Sequence, residues 1–246
     1  MPLREHFESV GNWLFQWRSY LPGVLILLML LGMRDFQYLG DRHEYQEIWA
    51  LFCLGVSLSG LAIRVLVVGH TPRRTSGRNT VEQIADALNT TGMYSIVRHP
   101  LYLGNFLIWL GISLFALLWW LSLIFALLYC VYYERIMFAE EEFLRRKFGD
   151  DFLRWAKTTP AFFPRPGLWR PPTMAFSSCN VLRREYTAFV GIFVAFAALE
   201  WEEHLIVEHR YVPERQWEIL LLGALCIALL LRLLKRHTRM LHIEGR

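Results

Sequence analysis

Apolar residues in this chain gather in runs too long and too uniform for the one-sided helices of a soluble core. A first run covers about Tyr20 to Met33, with an amphipathic lead-in from Trp13 to Trp17. A second covers about Ile48 to Val68 and is interrupted by Arg64. The third, Leu101 to Tyr133, exceeds the roughly 20 residues that one membrane pass needs. Trp119 and Trp120 sit in its middle, and tryptophan favours membrane interfaces, so the pattern predicts a tight helical hairpin turning near Leu117 to Trp120. One long tilted helix is the alternative, because no Pro or Gly marks the turn. The hairpin counts as two passes. A fifth segment covers about Tyr186 to Ala198 and a sixth about Trp217 to Leu234. The expected fold is an all-α integral membrane protein with about six transmembrane helices.

Composition agrees. The chain has 246 residues, 54% hydrophobic and 15% aromatic, with mean hydropathy +0.28, more apolar than an ordinary soluble domain. A soluble helical bundle is the alternative. The net charge of +4 comes with an uneven spread of Lys and Arg. Arg4 and Arg18, then Arg73, Arg74, Arg78 and Arg98, then a dense set from Arg135 to Arg184, and finally Arg232, Lys235, Arg236 and Arg239 fall on one side of a six-pass layout. Only Arg34, Arg42, Arg210 and Arg215 fall on the other. Basic loops collect in the cytoplasm, so the predicted topology is an inner, cytoplasmic-membrane protein with both termini inside. No basic surface interleaved with aromatics is present, which argues against nucleic acid as a partner. Cys53, Cys130, Cys179 and Cys226 have no CxxC spacing and read as small apolar side chains. The N-terminus lacks the features of a signal peptide. Residues 241–246, ending Ile243-Glu-Gly-Arg246, read as a remnant of a protease-cleavage linker.

Polar clusters border the hairpin. Before it stands Gly92 to Asn105, GMYSIVRHPLYLGN, in which Pro100 suits the first turn of a helix and keeps His99 out of helical geometry. Arg98 and His99 then sit at a helix N-terminus, where free N–H groups favour an anion. Spacing alone leaves two readings: a site for a carboxylate or phosphate, or a membrane anchor (Arg98) beside a capping residue (His99). After the hairpin comes EEEFLRRKFGDDF, Glu140 to Phe152, on the same membrane face. Here the alternative to a site is a solvated helix with pairs such as Glu141–Arg145 and Glu142–Arg146. Arg73, Arg74 and Arg78 are suited to holding a phosphate or to lying on anionic lipid. Thr80 to Leu88 reads as an amphipathic helix. Arg64 lies near the end of its pass and reads as a snorkelling residue. Glu200, His204, Glu208 and His209 include i,i+4 spacings that suit a metal, but no HExxH is present, so they read as a polar interfacial loop and no metal site is assigned.

Two motifs carry a resemblance: Gly92-x-Tyr94-x-x-x-Arg98-His99-Pro100-x-Tyr102-x-Gly104 and Glu140-Glu141-x-x-Leu144-x-x-x-Phe148-Gly149, trailed by Phe152, Trp155, Pro160 and Pro164. Their order around an apolar hairpin resembles the isoprenylcysteine carboxyl methyltransferase and phospholipid methyltransferase superfamily over about residues 80–164. Phe152 and Trp155 stand where that family usually has tyrosines. The resemblance implies S-adenosylmethionine as methyl donor, with S-adenosylhomocysteine as product, in a cytoplasm-facing pocket built on membrane helices. It implies a cofactor site of Tyr94, Val97, Arg98, His99, Pro100, Leu103, Glu140 and Glu141. No GxGxxG is present to encode a soluble nucleotide-binding sheet.

The expected division is a methyltransferase core over residues 1–172, a two-helix membrane extension over 173–240, and the 241–246 remnant. The expected activity is methyl transfer to a membrane-embedded lipid acceptor, with Arg98 and Glu141 as catalytic residues and Arg74, Arg78 and Asn105 facing the substrate. The arginine cluster favours O-methylation of an anionic headgroup, phosphate or carboxylate. Prenylcysteine-type carboxyl methylation and aminolipid N-methylation are the alternatives. A non-catalytic membrane interaction protein, with Arg98 and Glu141 as structural ion partners, is the reading of another class.

Overall fold

The computed structural model describes residues 2–18, 20–36, 43–72, 85–209 and 214–237. Among them the chain is helical, in the order α1 (Leu3–Trp17), α2 (Leu21–Gly32), α3 (His43–His70), α4 (Met93–Ile96), α5 (Pro100–Phe115), α6 (Trp119–Phe148), α7 (Asp150–Thr158), α8 (Ser178–Glu203) and α9 (Arg215–His237). Among the described residues, three stretches are long and apolar enough to cross a membrane: Glu44–His70, Trp119–Phe148 and Arg215–His237, with Pro100–Phe115 as a shorter apolar helix. Leu51, Phe52, Leu123, Leu127, Leu222 and Leu229 stand exposed on the outer faces of these helices, as side chains do that have lipid for a neighbour.

The apolar run from Leu101 is a hairpin, and no single long helix forms. Leu117 adopts φ 56° at the turn, a left-handed conformation reached without glycine. Ser122 donates to the Ser113 carbonyl at 3.0 Å, and Phe106 stacks on Phe125, so α5 and α6 run antiparallel. The lead-in at Trp13–Trp17 is not an extension of the first pass. It belongs to α1, a separate helix laid along α6, with Phe7 edge-on to Phe138 and the Tyr132 hydroxyl donating to the Leu14 carbonyl at 2.8 Å. This contact also replaces the pairs expected within α6: Glu142 bonds Arg4 and Arg146 bonds Glu8 at 2.6 Å. Helix α6 ends at Gly149, whose φ of 54° lets α7 leave at a new angle. Residues 85–88, the described part of the helix expected over Thr80 to Leu88, are not helical.

The core of the bundle is the contact between α3 and α5. A Cβ on Gly104 would lie 2.8 Å from the Gly60 carbonyl and 2.8 Å from Cγ of Arg64, so the two backbones touch. Ser57 caps the contact by donating to the Ile108 carbonyl at 2.8 Å. Lipid tails are as apolar as leucine, so membrane helices associate through such close packing and buried hydrogen bonds. Gly104→Ala is expected to cost about 1–3 kcal/mol by overpacking, read as a lower Tm of the detergent-solubilised protein. Gly55→Ala, on α3 with nothing among the described residues within 4 Å of the added Cβ, is expected not to lower Tm.

Candidate functional site: a polar cavity at the start of α5

Gly92 opens α4 with φ 59°, and its N–H donates to the Arg170 carbonyl at 2.9 Å. Val97 is extended, His99 is the N-cap residue of α5, and Pro100 is its first helical residue. The proline-rich segment after α7 folds over this junction as a strap. Arg98 N–H donates to the Pro160 carbonyl at 2.8 Å, His99 N–H to Ala161 at 3.2 Å, and Arg165 N–H to Ile96 at 3.0 Å. The prolines that stop regular helix here thus leave carbonyls available to the amides of the opening motif.

The side chains reach across to α6. Arg98 donates from Nε to Glu141 Oε1 at 2.8 Å and from Nη1 to the carbonyls of Ala156 and Thr159 at 2.7 and 2.9 Å. His99 Nε2 lies 2.9 Å from the same Glu141 oxygen. Tyr102 stacks on the His99 ring and donates its hydroxyl to Glu140 Oε2 at 2.9 Å. The two motifs, on either side of the hairpin, therefore meet. The structure also places the two acids differently. Glu141 faces Arg98 and His99, whereas Glu140 borders a cavity of about 100 Å³ together with Tyr94, His99, Pro100, Tyr102 and Asn105.

Several expected site residues are placed differently. The backbone amides of Arg98 and His99 are taken up by the strap, while both residues border the cavity. Val97 and Leu103 pack with Ile96 in a small apolar cluster, beneath the polar wall rather than on it. Arg74 and Arg78 lie outside the described residues. Asn105 does border the cavity, where its Oδ1 accepts from Arg64.

Arg64 is the residue that sequence reasoning misjudged. It does not snorkel. Its Nε and Nη2 donate to the two carboxylate oxygens of Glu185 at 2.7 and 3.1 Å, a forked pair that ties α3 to α8 on the cavity wall. Glu185, Arg184 and Arg18 also line the cavity and were missed, because nothing near them in sequence matches a motif. A signal did exist: one arginine inside an apolar pass and one glutamate at the head of another are costly unless they meet. Tyr94 stands between this cavity and a neighbour of about 230 Å³. Desolvation and the Glu140 carboxylate hold its phenol well above the usual range, so it is a hydrogen-bond donor at neutral pH.

The sequence profile of the phospholipid methyltransferase family matches residues 49–151, the span from α3 through both hairpin helices and their flanking motifs. A protein-S-isoprenylcysteine O-methyltransferase of Schizosaccharomyces pombe is 32% identical over 158 residues, 60% of this chain and 66% of that protein. The chain belongs to the isoprenylcysteine carboxyl methyltransferase and phospholipid methyltransferase superfamily. It is accordingly a membrane protein. Two metal-resistance proteins are also similar to it. The nickel-cobalt-cadmium resistance protein NccN of Alcaligenes xylosoxydans xylosoxydans is 28% identical over 193 residues, 76% of this chain and 83% of that protein. The cobalt-zinc-cadmium resistance protein CzcN of Cupriavidus metallidurans is 38% identical over 165 residues, 66% of this chain and 71% of that protein. No solved structure matches the chain.

The family profile ends before α8, yet Glu185 of α8 completes the cavity wall. Glu185→Ala strands the Arg64 guanidinium and is expected to cost about 3–5 kcal/mol, less what its partial exposure relieves. The check is Tm in detergent: a large fall for Glu185→Ala, and recovery of most of it when Arg64→Met and Glu185→Met are combined.

Proposed function

We propose that this chain is an S-adenosylmethionine-dependent methyltransferase that O-methylates an anionic lipid headgroup, a phosphate or carboxylate. The observation that carries the reading is the cavity beside the His99–Glu141–Arg98 cluster, where four arginines (Arg18, Arg64, Arg98 and Arg184) border one small polar space with Glu140 and Glu185. An anionic acceptor suits such a wall and, being ionised already, needs no general base. Prenylcysteine carboxyl groups share that chemistry. An amine acceptor would need a base to take its proton, and Glu140 is the candidate for that role.

The donor set fits the cofactor. Glu140 suits an ammonium or ribose hydroxyls, Tyr94 donates a hydrogen bond, and the arginines suit a carboxylate. S-adenosylmethionine supplies an electrophilic methyl group on a sulfonium. At about 100 Å³ the cavity is smaller than pockets that take whole small ligands, about 300 Å³ or more. We infer that Tyr94 swings to join it with its neighbour of about 230 Å³. Arg98 and Glu141 are assigned as positioning residues, because their polar atoms hold the start of α5 against α6 and α7. Glu140, His99, Tyr94 and Asn105 are assigned to ligand contact.

We further infer six passes, a cytoplasm-facing cavity and cytoplasmic termini, supported by the basic residues gathered at the cavity end. Residues 173–240 are read as an extension that seals the cavity and tunes the acceptor. The metal-resistance names of two relatives favour a second reading of the setting, in which methylation serves cells exposed to transition metals. A convergence of Glu200, His204 and Glu214 is the observation behind it. The competing class, a non-catalytic interaction protein, predicts no cofactor affinity. In calorimetry of the protein in detergent, S-adenosylhomocysteine is expected to bind saturably. Glu140→Gln is expected to weaken it at least tenfold with Tm unchanged, whereas Glu141→Gln lowers both affinity and Tm. Absence of binding to wild type would sink the enzyme reading.

A further inference from the structure

We propose that Glu200, His204 and Glu214 form a binding site for a divalent transition-metal cation at the end of the bundle away from the cofactor cavity. About 22 Å of α8, at about 1.5 Å per residue, separates Glu200 from Glu185, and the site shares no residue with the cavity.

Glu200 and His204 stand one turn apart, where α8 passes into a π-helical turn, His204–Glu208. Both are buried, at 3% and 5% exposure. Glu214 arrives from the other side. Its carbonyl accepts from the Trp217 and Glu218 N–H groups at 3.0 and 3.2 Å, so it starts α9. Trp217 is itself buried and stacks flat on Phe196, with ring centroids 5.9 Å apart and planes 2° from parallel. That contact fixes the start of α9 on α8. One ligand atom from each of the three residues then lies within 4.8 Å of the other two.

The spacing of the His204–Glu200 pair is that of two ligands on a shared ion. His204 Nε2 and Glu200 Oε1 are 3.3 Å apart, beyond the usual N–H···O range of about 2.7–3.2 Å. A tetrahedral ion with ligands at about 2.0–2.2 Å holds them about 3.3–3.6 Å from one another. The surroundings are built to orient carboxylates. Gln216 Nε2 donates to Glu214 Oε2 at 2.5 Å. Gln46, 1% exposed, donates from Nε2 to Glu203 Oε2 at 3.0 Å, on the residue next to His204. The remaining oxygen of that amide, Gln46 Oε1, is buried with no hydrogen-bond partner among the described residues. A buried orphan acceptor in the same polar layer is a place for a water or ion. One imidazole with two carboxylates suits Zn²⁺, Co²⁺ or Ni²⁺; Mg²⁺ and Ca²⁺ prefer all-oxygen shells of six or more ligands, and Cu⁺ prefers thiolate.

The test uses the full chain in detergent, stripped with a chelator and titrated with Zn²⁺, and with Co²⁺ for its visible absorption. One equivalent per chain is expected to bind saturably, to give Co²⁺ ligand-field bands, and to resist competition by millimolar Mg²⁺. His204→Ala and Glu200→Gln are expected to abolish it. Glu214→Gln, at the half-buried margin and so least liable to disturb folding, is expected to weaken it at least tenfold, with the fold checked by circular dichroism. Failure of wild type to take up one equivalent, or an equivalent that survives all three substitutions, overturns the site.

Discussion

Helices α3 and α5 touch backbone to backbone at Gly60 and Gly104, and the walls of the polar cavity depend on that contact. In lipid no hydrophobic force draws helices together, so close approach and buried polar pairs must do so. Arg64 lies one turn along α3 from Gly60, and Asn105 follows Gly104 on α5. Bringing the two backbones together therefore brings the guanidinium to the amide. Glu185 then draws α8 onto the same wall. A side chain larger than hydrogen at either glycine would part these groups as well as the helices.

The second constraint is electrostatic. Arg98, His99, Glu140 and Glu141 are too polar for hydrocarbon unless they satisfy one another. They do so across the mouth of the hairpin, with Glu141 as the shared acceptor for Arg98 and His99. This leaves Glu140 held by Tyr102 yet bordering the cavity. One acid is held between Arg98 and His99 and its neighbour borders the cavity, a distinction that adjacency in sequence conceals. The strap over Pro160 to Arg165 completes the arrangement, because it occupies amides that would otherwise face solvent or ligand.

Much of this was legible in the chain. The apolar run from Leu101 to Tyr133 is too long for one pass, and the tryptophans in its middle mark the turn, so the hairpin follows from pattern. The meeting of the Arg98-His99-Pro100 and Glu140-Glu141 motifs follows from the hairpin. What the pattern could not supply were partners distant in sequence. Helix α1 reads as a lead-in to the first pass until Glu142 and Arg146 are seen to bind Arg4 and Glu8. Arg64 reads as a snorkelling cation until Glu185 appears beside it. The convergence of Glu214 on Glu200 and His204 depends on Trp217 packing against Phe196, a contact with no local signature.

The central claim is that the cavity between these helices transfers a methyl group to a lipid. The most direct measurement is mass spectrometry of the lipids after the purified protein, in nanodiscs of mixed anionic and zwitterionic lipid, is incubated with deuterium-labelled methyl donor. The account predicts label in an anionic lipid class, lost with Glu140→Ala. Label confined to aminolipids would contradict the acceptor assignment, and no label in any lipid or prenylated peptide would contradict the account itself.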